Sequence, residues 1–185
     1  MKLRGLGLLM AATAALSWSV AGFAMTGSAD DPLVLIKTNK GDIKIKVFKK
    51  EAPITAGNFL DLVHRNFYNG LTFHRYVSGF VIQGGDPSGT GGGNFIDPDT
   101  HQERHIKLEK IQGLNHDSAG VVAMARTNDP DSASCQFYIT LAPATFLDNP
   151  PGYAVFGHVV EGQKVVDQLR QGDKMTKVEL LSEHK

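Results

Sequence analysis

An arginine, an aromatic ring and a side-chain amide fall close together in residues 73–86, FHRYVSGFVIQGGD. Arg75 stays charged at any physiological pH and presents several donors in one plane. Gln83 both donates and accepts, and Phe80 supplies an apolar face between them. Ser78 and Gly79 break the run, with aromatic and β-branched residues on either side, so the pattern predicts two short strands joined by a bend. The bend brings guanidinium, ring and amide to one patch, and such a patch suits a peptide better than a charged small molecule.

Other groupings carry less chemistry. Residues 84–94 hold six glycines, at 84, 85, 89, 91, 92 and 93, but no Gly-Lys-Ser/Thr follows and no apolar helix opens after them. A phosphate cradle needs both, so the expectation is a long turn in which glycine permits positive φ. HQERH at 101–105 spaces two histidines four apart without a third ligand nearby, which predicts a solvated loop rather than a metal site. The remaining histidines are scattered, and His74 reads as a hydrogen-bonded structural residue. Cys135, the single cysteine, has no base at a spacing that makes it a nucleophile, and no GxSxG elbow is present. Neither cofactor nor metal is expected.

The elements that must position the patch read mostly as strands. Residues 33–37 and 42–48 flank Thr38-Asn39-Lys40-Gly41, and Ile43, Ile45 and Val47 alternate with lysines, giving an antiparallel hairpin turned at Gly41. Pro53 can open a helix over residues 53–66, with Ala56, Phe59, Leu60, Val63 and Phe67 along one face. Residues 120–125 (GVVAMA) carry no charge and predict a strand buried on both faces; 136–141 and 153–160 are further strands. Val165, Val166 and Leu169 mark a short second helix ended by Gly172, and residues 175–181 close the chain as a strand. Many strands, two helices and no βα alternation point to a mainly β, antiparallel fold, which a closed barrel would leave without exposed edges.

The chain has 185 residues, 42% hydrophobic and 21% charged, enough for one domain with a real core. Its 19 basic and 19 acidic residues leave no global field to attract nucleic acid. The N-terminus differs. Lys2 and Arg4 precede an uncharged stretch at 5–25, followed by small residues, the order of a secretory signal over residues 1–29, cut near 24 or 29, with Ala21 a further option. The apolar run is also about long enough to anchor in a bilayer, but its Gly, Ser and Thr favour cleavage. Removing it leaves 17 basic and 19 acidic residues, a net charge of −2, in a domain at 30–185. Export without disulfides suggests the periplasm of a Gram-negative bacterium, with no stable membrane association after cleavage. No heptads are visible, so a monomer is expected.

The stretch FHR, an apolar pair, GF, two apolar residues and QGGD resembles the signature of cyclophilin-type peptidyl-prolyl isomerases. GVVAMAR, CQFYIT and FLDNPPGYAVFGHVVEG follow in the order of the later cyclophilin blocks, so the similarity covers nearly all of residues 31–182. The implied fold is a closed eight-stranded antiparallel barrel capped by two helices. By motif position the resemblance makes Arg75 the catalytic arginine and Gln83 its neighbouring amide. Phe80, Val81, Tyr138 and Leu147 then line a proline pocket, Ala125, Arg126 and Gln136 border the peptide groove, and Phe146 and Tyr153 stand at its rim. Phe146 replaces the family's usual tryptophan and Tyr153 a usual histidine, a pairing that resembles bacterial periplasmic cyclophilins. The missing indole N–H predicts weak cyclosporin binding. Taken alone, Tyr138 reads equally as a core residue whose hydroxyl reaches the surface.

The reaction implied is rotation about X–Pro bonds in unfolded exported proteins and other proline-containing peptides. Amide resonance opposes it by ~18–20 kcal/mol, and uncatalysed exchange takes tens to hundreds of seconds. An arginine that donates to the nitrogen lone pair freed in the twisted amide acts more strongly on the transition state than on the ground state. The rival readings are a proline-peptide binding module or holdase using the same groove without turnover, and a secreted hydrolase.

Overall fold

The structure, a computed structural model, describes residues 31–181; the expected export segment at 1–29 lies outside them. Eight strands and two helices follow one another as β1 (Leu33–Thr38), β2 (Gly41–Val47), α1 (Pro53–His64), β3 (Arg75–Val77), β4 (Val81–Gly84), β5 (Val121–Met124), β6 (Phe137–Thr140), β7 (Val155–Glu161), α2 (Gln163–Gln168) and β8 (Met175–Leu180). A 3-10 turn, Thr145–Asp148, separates β6 from β7. All strand pairs are antiparallel, in the order β3-β4-β6-β5-β7-β2-β1-β8.

The sheet curls into a half-barrel that stays open between β3 and β8, which corrects the closed barrel expected from sequence. β3 is three residues long and ends before it can pair with β8. The chain ahead of it bridges the seam instead: Thr72 makes an isolated bridge with Lys174, and Phe73 N–H donates to Asp173 C=O at 2.8 Å. Gly172, expected to cap α2, also serves this seam. The helix ends at Gln168, and Gly172, at φ +92°, donates its N–H to Phe73 C=O. At the far edge Val34 pairs with Leu180, and Leu181 N–H reaches Leu33 C=O at 2.8 Å, so the two ends of the described chain lie on adjacent strands.

Period-two patterning gives the sheet two distinct buried faces. On the inner face, Ile82, Val122, Met124, Phe137, Ile139 and Phe156 join Phe59, Leu62 and Val63 of α1 in the main core. Phe59 sits within 5.5 Å (centroid to centroid) of Tyr68, Phe137 and Phe156. α1 begins at Pro53, as its fixed φ favours, and has no side-chain cap of its own. Glu109, distant in sequence, accepts from Ile54 N–H (3.1 Å) and Thr55 N–H (2.8 Å) and so satisfies two otherwise unpaired donors. On the outer face Val81, Val121, Ala123, Tyr138 and Val155 form a smaller cluster with Phe48. Phe80, Leu114, Ala125, Leu147 and Tyr153 cover it. Among the described residues, no helix is long and apolar enough to cross a membrane.

Candidate functional site

The β3–β4 hairpin sets Arg75 directly opposite Gln83, with Tyr76 opposite Ile82. The alternation that buries Ile82 in the main core therefore turns Val81 and Gln83 to the outer face. There Arg75, Phe80, Val81, Gln83, Ala125, Arg126, Tyr138, Leu147 and Tyr153 line one cavity of about 260 Å³. Gln136 and Phe146, the other two residues singled out from sequence, flank it. Gln136 lines an adjoining pocket with Gln83, Ala125 and Arg126. The Phe146 ring packs on Phe80 at 5.3 Å and is 60% exposed, a lip rather than a wall.

Arg75 is held from below. Its Nη1 donates to Gln83 Oε1 at 3.3 Å, and the guanidinium lies 6.0 Å from the Phe80 ring centroid. Gln83 Nε2 donates in turn to Gln136 Oε1 (3.0 Å), and Gln136 Nε2 donates to the carbonyls of Gly91 (3.1 Å) and Gly93 (2.9 Å). The glycine-rich loop thus orients the arginine through two amides. That loop is fixed by Asp86, whose carboxylate accepts from Ser88 N–H and Oγ–H, Thr90 N–H and Gly91 N–H. Burial raises the carboxyl's pKa, but the hydrogen bonds from Ser88, Gly91 and Gly93 outweigh it and bring the value to about 2. Gly85 (φ +88°), Gly89 and Gly91 take the positive φ expected of this turn. A Cβ at Gly85 would stand 2.7 Å from Cys135 C=O, closer than real contacts allow.

The opposite wall is built by Arg126 and Tyr153. Arg126 donates from Nε (3.0 Å) and Nη2 (2.6 Å) to Gly152 C=O and lies 4.4 Å over the Tyr153 ring. Tyr153 meets Tyr138 edge to face at 5.9 Å.

Three readings from sequence change here. The Tyr138 hydroxyl does not reach the surface: the residue is 5% exposed and its Oη lies 2.8 Å from His116 Nε2. His116, passed over as one of several scattered histidines, lies buried beside the site, with Nδ1 2.8 Å from Asp148 Oδ1. The signal available was Tyr138 itself, since a buried tyrosine hydroxyl calls for a polar partner. His74, expected to be hydrogen-bonded, has both ring nitrogens buried with no partner in good geometry, Gln136 being a polar neighbour; burial first, then the Arg75 charge, outweigh Asp86 and Gln136 to lower its pKa. HQERH is exposed at both histidines, but its Arg104 is no free surface charge. It bridges Asp61 (2.6 Å) and Asp97 (2.8 Å) and lies 4.5 Å over Phe95. Cys135 is fully buried, and burial pushes its thiol up to about 11, so no thiolate is available at neutral pH.

Residues 33–185 match the family model of cyclophilin type peptidyl-prolyl cis-trans isomerases. A peptidyl-prolyl cis-trans isomerase of Acinetobacter baylyi is 43% identical over 140 residues, 74% of this chain and 71% of its own. The human peptidyl-prolyl cis-trans isomerase-like 3 is 42% identical over 139 residues, 75% of this chain and 81% of its own. A Cryptosporidium parvum cyclophilin type isomerase, solved in the presence of the dipeptide Ala-Pro, superposes with a TM-score of 0.71 at 28% identity. The match spans 81% of this chain and 99% of that one.

Proposed function

This chain belongs to the cyclophilin-type peptidyl-prolyl cis-trans isomerases, and we propose that it turns X–Pro bonds with Arg75 as the donor to the twisted amide. The observation that carries this reading is one cavity with an apolar floor and a guanidinium at its edge. Val81, Tyr138 and Leu147 supply the floor, with Phe80 beside the arginine. The pyrrolidine ring of a bound peptide sits on that floor. As the preceding carbonyl rotates, the nitrogen loses conjugation and gains a lone pair, to which an Arg75 N–H donates. No group is transferred, so neither nucleophile nor cofactor is required. Gln83 holds the guanidinium at the angle this donation needs, while Gln136, Ala125 and Arg126 border the groove that takes the flanking backbone.

The substrates we assign are proline-containing segments of unfolded exported proteins. Lys2, Arg4 and the uncharged stretch at 5–25 support export to the periplasm, and N-terminal sequencing of the protein from a periplasmic fraction reads the cleavage point. Phe146 at the lip, where an indole N–H is absent, supports weak cyclosporin binding.

NMR exchange spectroscopy on a short Ala-Pro peptide, without a coupled protease, tests the reaction. The expected result is faster cis/trans exchange with the wild type and its loss in a folded Arg75→Ala variant. Full activity in that variant overturns the role of Arg75. Peptide binding without faster exchange makes the groove a recognition module.

A further inference from the structure

Two polar side chains with no part in the amide chemistry, Asp148 and His116, run in line behind the pocket to Tyr138 in its floor. Asp148 closes the 3-10 turn whose Phe146 and Leu147 form the lip. Its Oδ1 accepts from Lys110 Nζ and His116 Nδ1, both at 2.8 Å, and its Oδ2 accepts from His116 backbone N–H at 3.0 Å. Ala144 N–H, just ahead of the turn, donates to His116 C=O at 2.7 Å. His116, its side chain wholly buried, carries the line to Tyr138 Oη at 2.8 Å, and the two rings lie 21° from parallel. The lip and the pocket wall are thereby joined through one imidazole.

The donor directions follow from the partners. Burial raises the Asp148 carboxyl, but Lys110 and His116 outweigh it and hold the group below its ordinary range, so it is ionised and can only accept. His116 Nδ1 must therefore carry a proton. Burial keeps the ring below its usual pKa despite Asp148, so at neutral pH the second nitrogen is bare and accepts. Tyr138 is then the donor, its O–H aimed into the protein and its ring turned to the cavity.

We infer that Asp148 and His116 are positioning residues which pin Tyr138 against the lip and so set how tightly the pocket holds proline, leaving the rotation step to Arg75. This rests on the isomerase reading of the cavity. The chain specifies affinity through a tyrosine that a phenylalanine would replace with no loss of apolar surface. With His116 intact the hydroxyl is satisfied; without it, a buried donor is stranded, and the ring shifts to seek water.

Two measurements on the full-length protein test the inference. First, nitrogen-15 spectra of the imidazole at pH 7 are expected to show protonated Nδ1 and bare Nε2; the opposite tautomer overturns the donor order. Second, exchange kinetics on the Ala-Pro peptide compare wild type, His116→Leu, Tyr138→Phe and the double variant. His116→Leu is expected to raise KM about tenfold with the saturated rate within about twofold, since one buried hydroxyl loses its partner. Adding Tyr138→Phe removes that hydroxyl and lowers KM at least about threefold from the His116→Leu value, a coupling between neighbours. Losses that multiply in the double variant, or an unchanged KM in His116→Leu, overturn it. A wild type that leaves peptide exchange unaccelerated defeats the isomerase reading instead, and the tautomer spectra then still decide the hydrogen-bond order.

Discussion

The two faces of β4, β6 and β5 are made by the same strands and have different duties. Along β6, Phe137 and Ile139 enter the main core, while Tyr138 and Thr140 point the other way. Inside, contacts are apolar and crowded, and Phe59, Tyr68, Phe137 and Phe156 gather around a helix that closes over them. Outside, the buried polar groups of β6 have dedicated partners: Thr140 Oγ1 accepts from Val121 N–H and donates to Ser118 C=O, and Tyr138 meets His116. One residue step along a strand therefore separates a side chain that holds the fold from one that shapes the cavity. Stability and activity are expected to respond to different substitutions at neighbouring positions.

The sharpest way to break that comparison is Phe137→Ala. The lost ring is fully buried, so urea denaturation is expected to show a loss of about 4 kcal/mol. Molecules that remain folded keep their saturated exchange rate; a slower rate in the folded fraction would show that the faces are not independent. Arg75→Ala is the counterpart on the outer face. The exchange rate is expected to fall about 10²-fold, as when a transition-state donor is removed elsewhere, while the exposed site leaves stability within about 0.5 kcal/mol. The glycine-rich loop offers a milder probe. Asp86 has a carboxyl held at about 2 in the fold against an ordinary 3.8, so its stabilisation is complete above about pH 4 and is lost as pH falls through 2. Acid titration followed by tryptophan-independent circular dichroism should show that loss in the wild type and not in Asp86→Asn, which starts less stable. The smallest effect is expected at the lip: Phe146→Trp restores an indole N–H, and calorimetry should record about tenfold tighter cyclosporin binding, the worth of one hydrogen bond.

Local pattern carried much of the fold. Ile43, Ile45 and Val47 announced β2, Pro53 and the spacing of Ala56, Phe59 and Val63 announced α1, and Ser78-Gly79 marked the bend between β3 and β4. Ten of the eleven residues singled out for the site lie on the cavity or its lip, and Gln136 stands one hydrogen bond behind. What escaped depends on partners distant in sequence. Glu109 caps a helix through Ile54, 55 residues earlier, and His116 is defined by Asp148 and Tyr138, 32 and 22 residues away. Gly172 looked like a helix cap because a glycine after an apolar stretch has that use, but its N–H was needed at the seam. Closure was misjudged for a related reason: the length of β3 depends on where β4 and the 70–73 segment pull it, and no side-chain pattern records that.

The pairing of Val34 with Leu180 has a use in protein engineering. With these two positions already side by side, a short linker can join the ends of a chain trimmed to residues 31–181, and it can be reopened in an exposed loop such as that at 127–131. The permuted molecule keeps every ladder of the sheet while exchanging the long-range β1–β8 contact for a hairpin. Its folding rate, set against that of the natural order, measures how much of the barrier is the entropy of bringing those ends together.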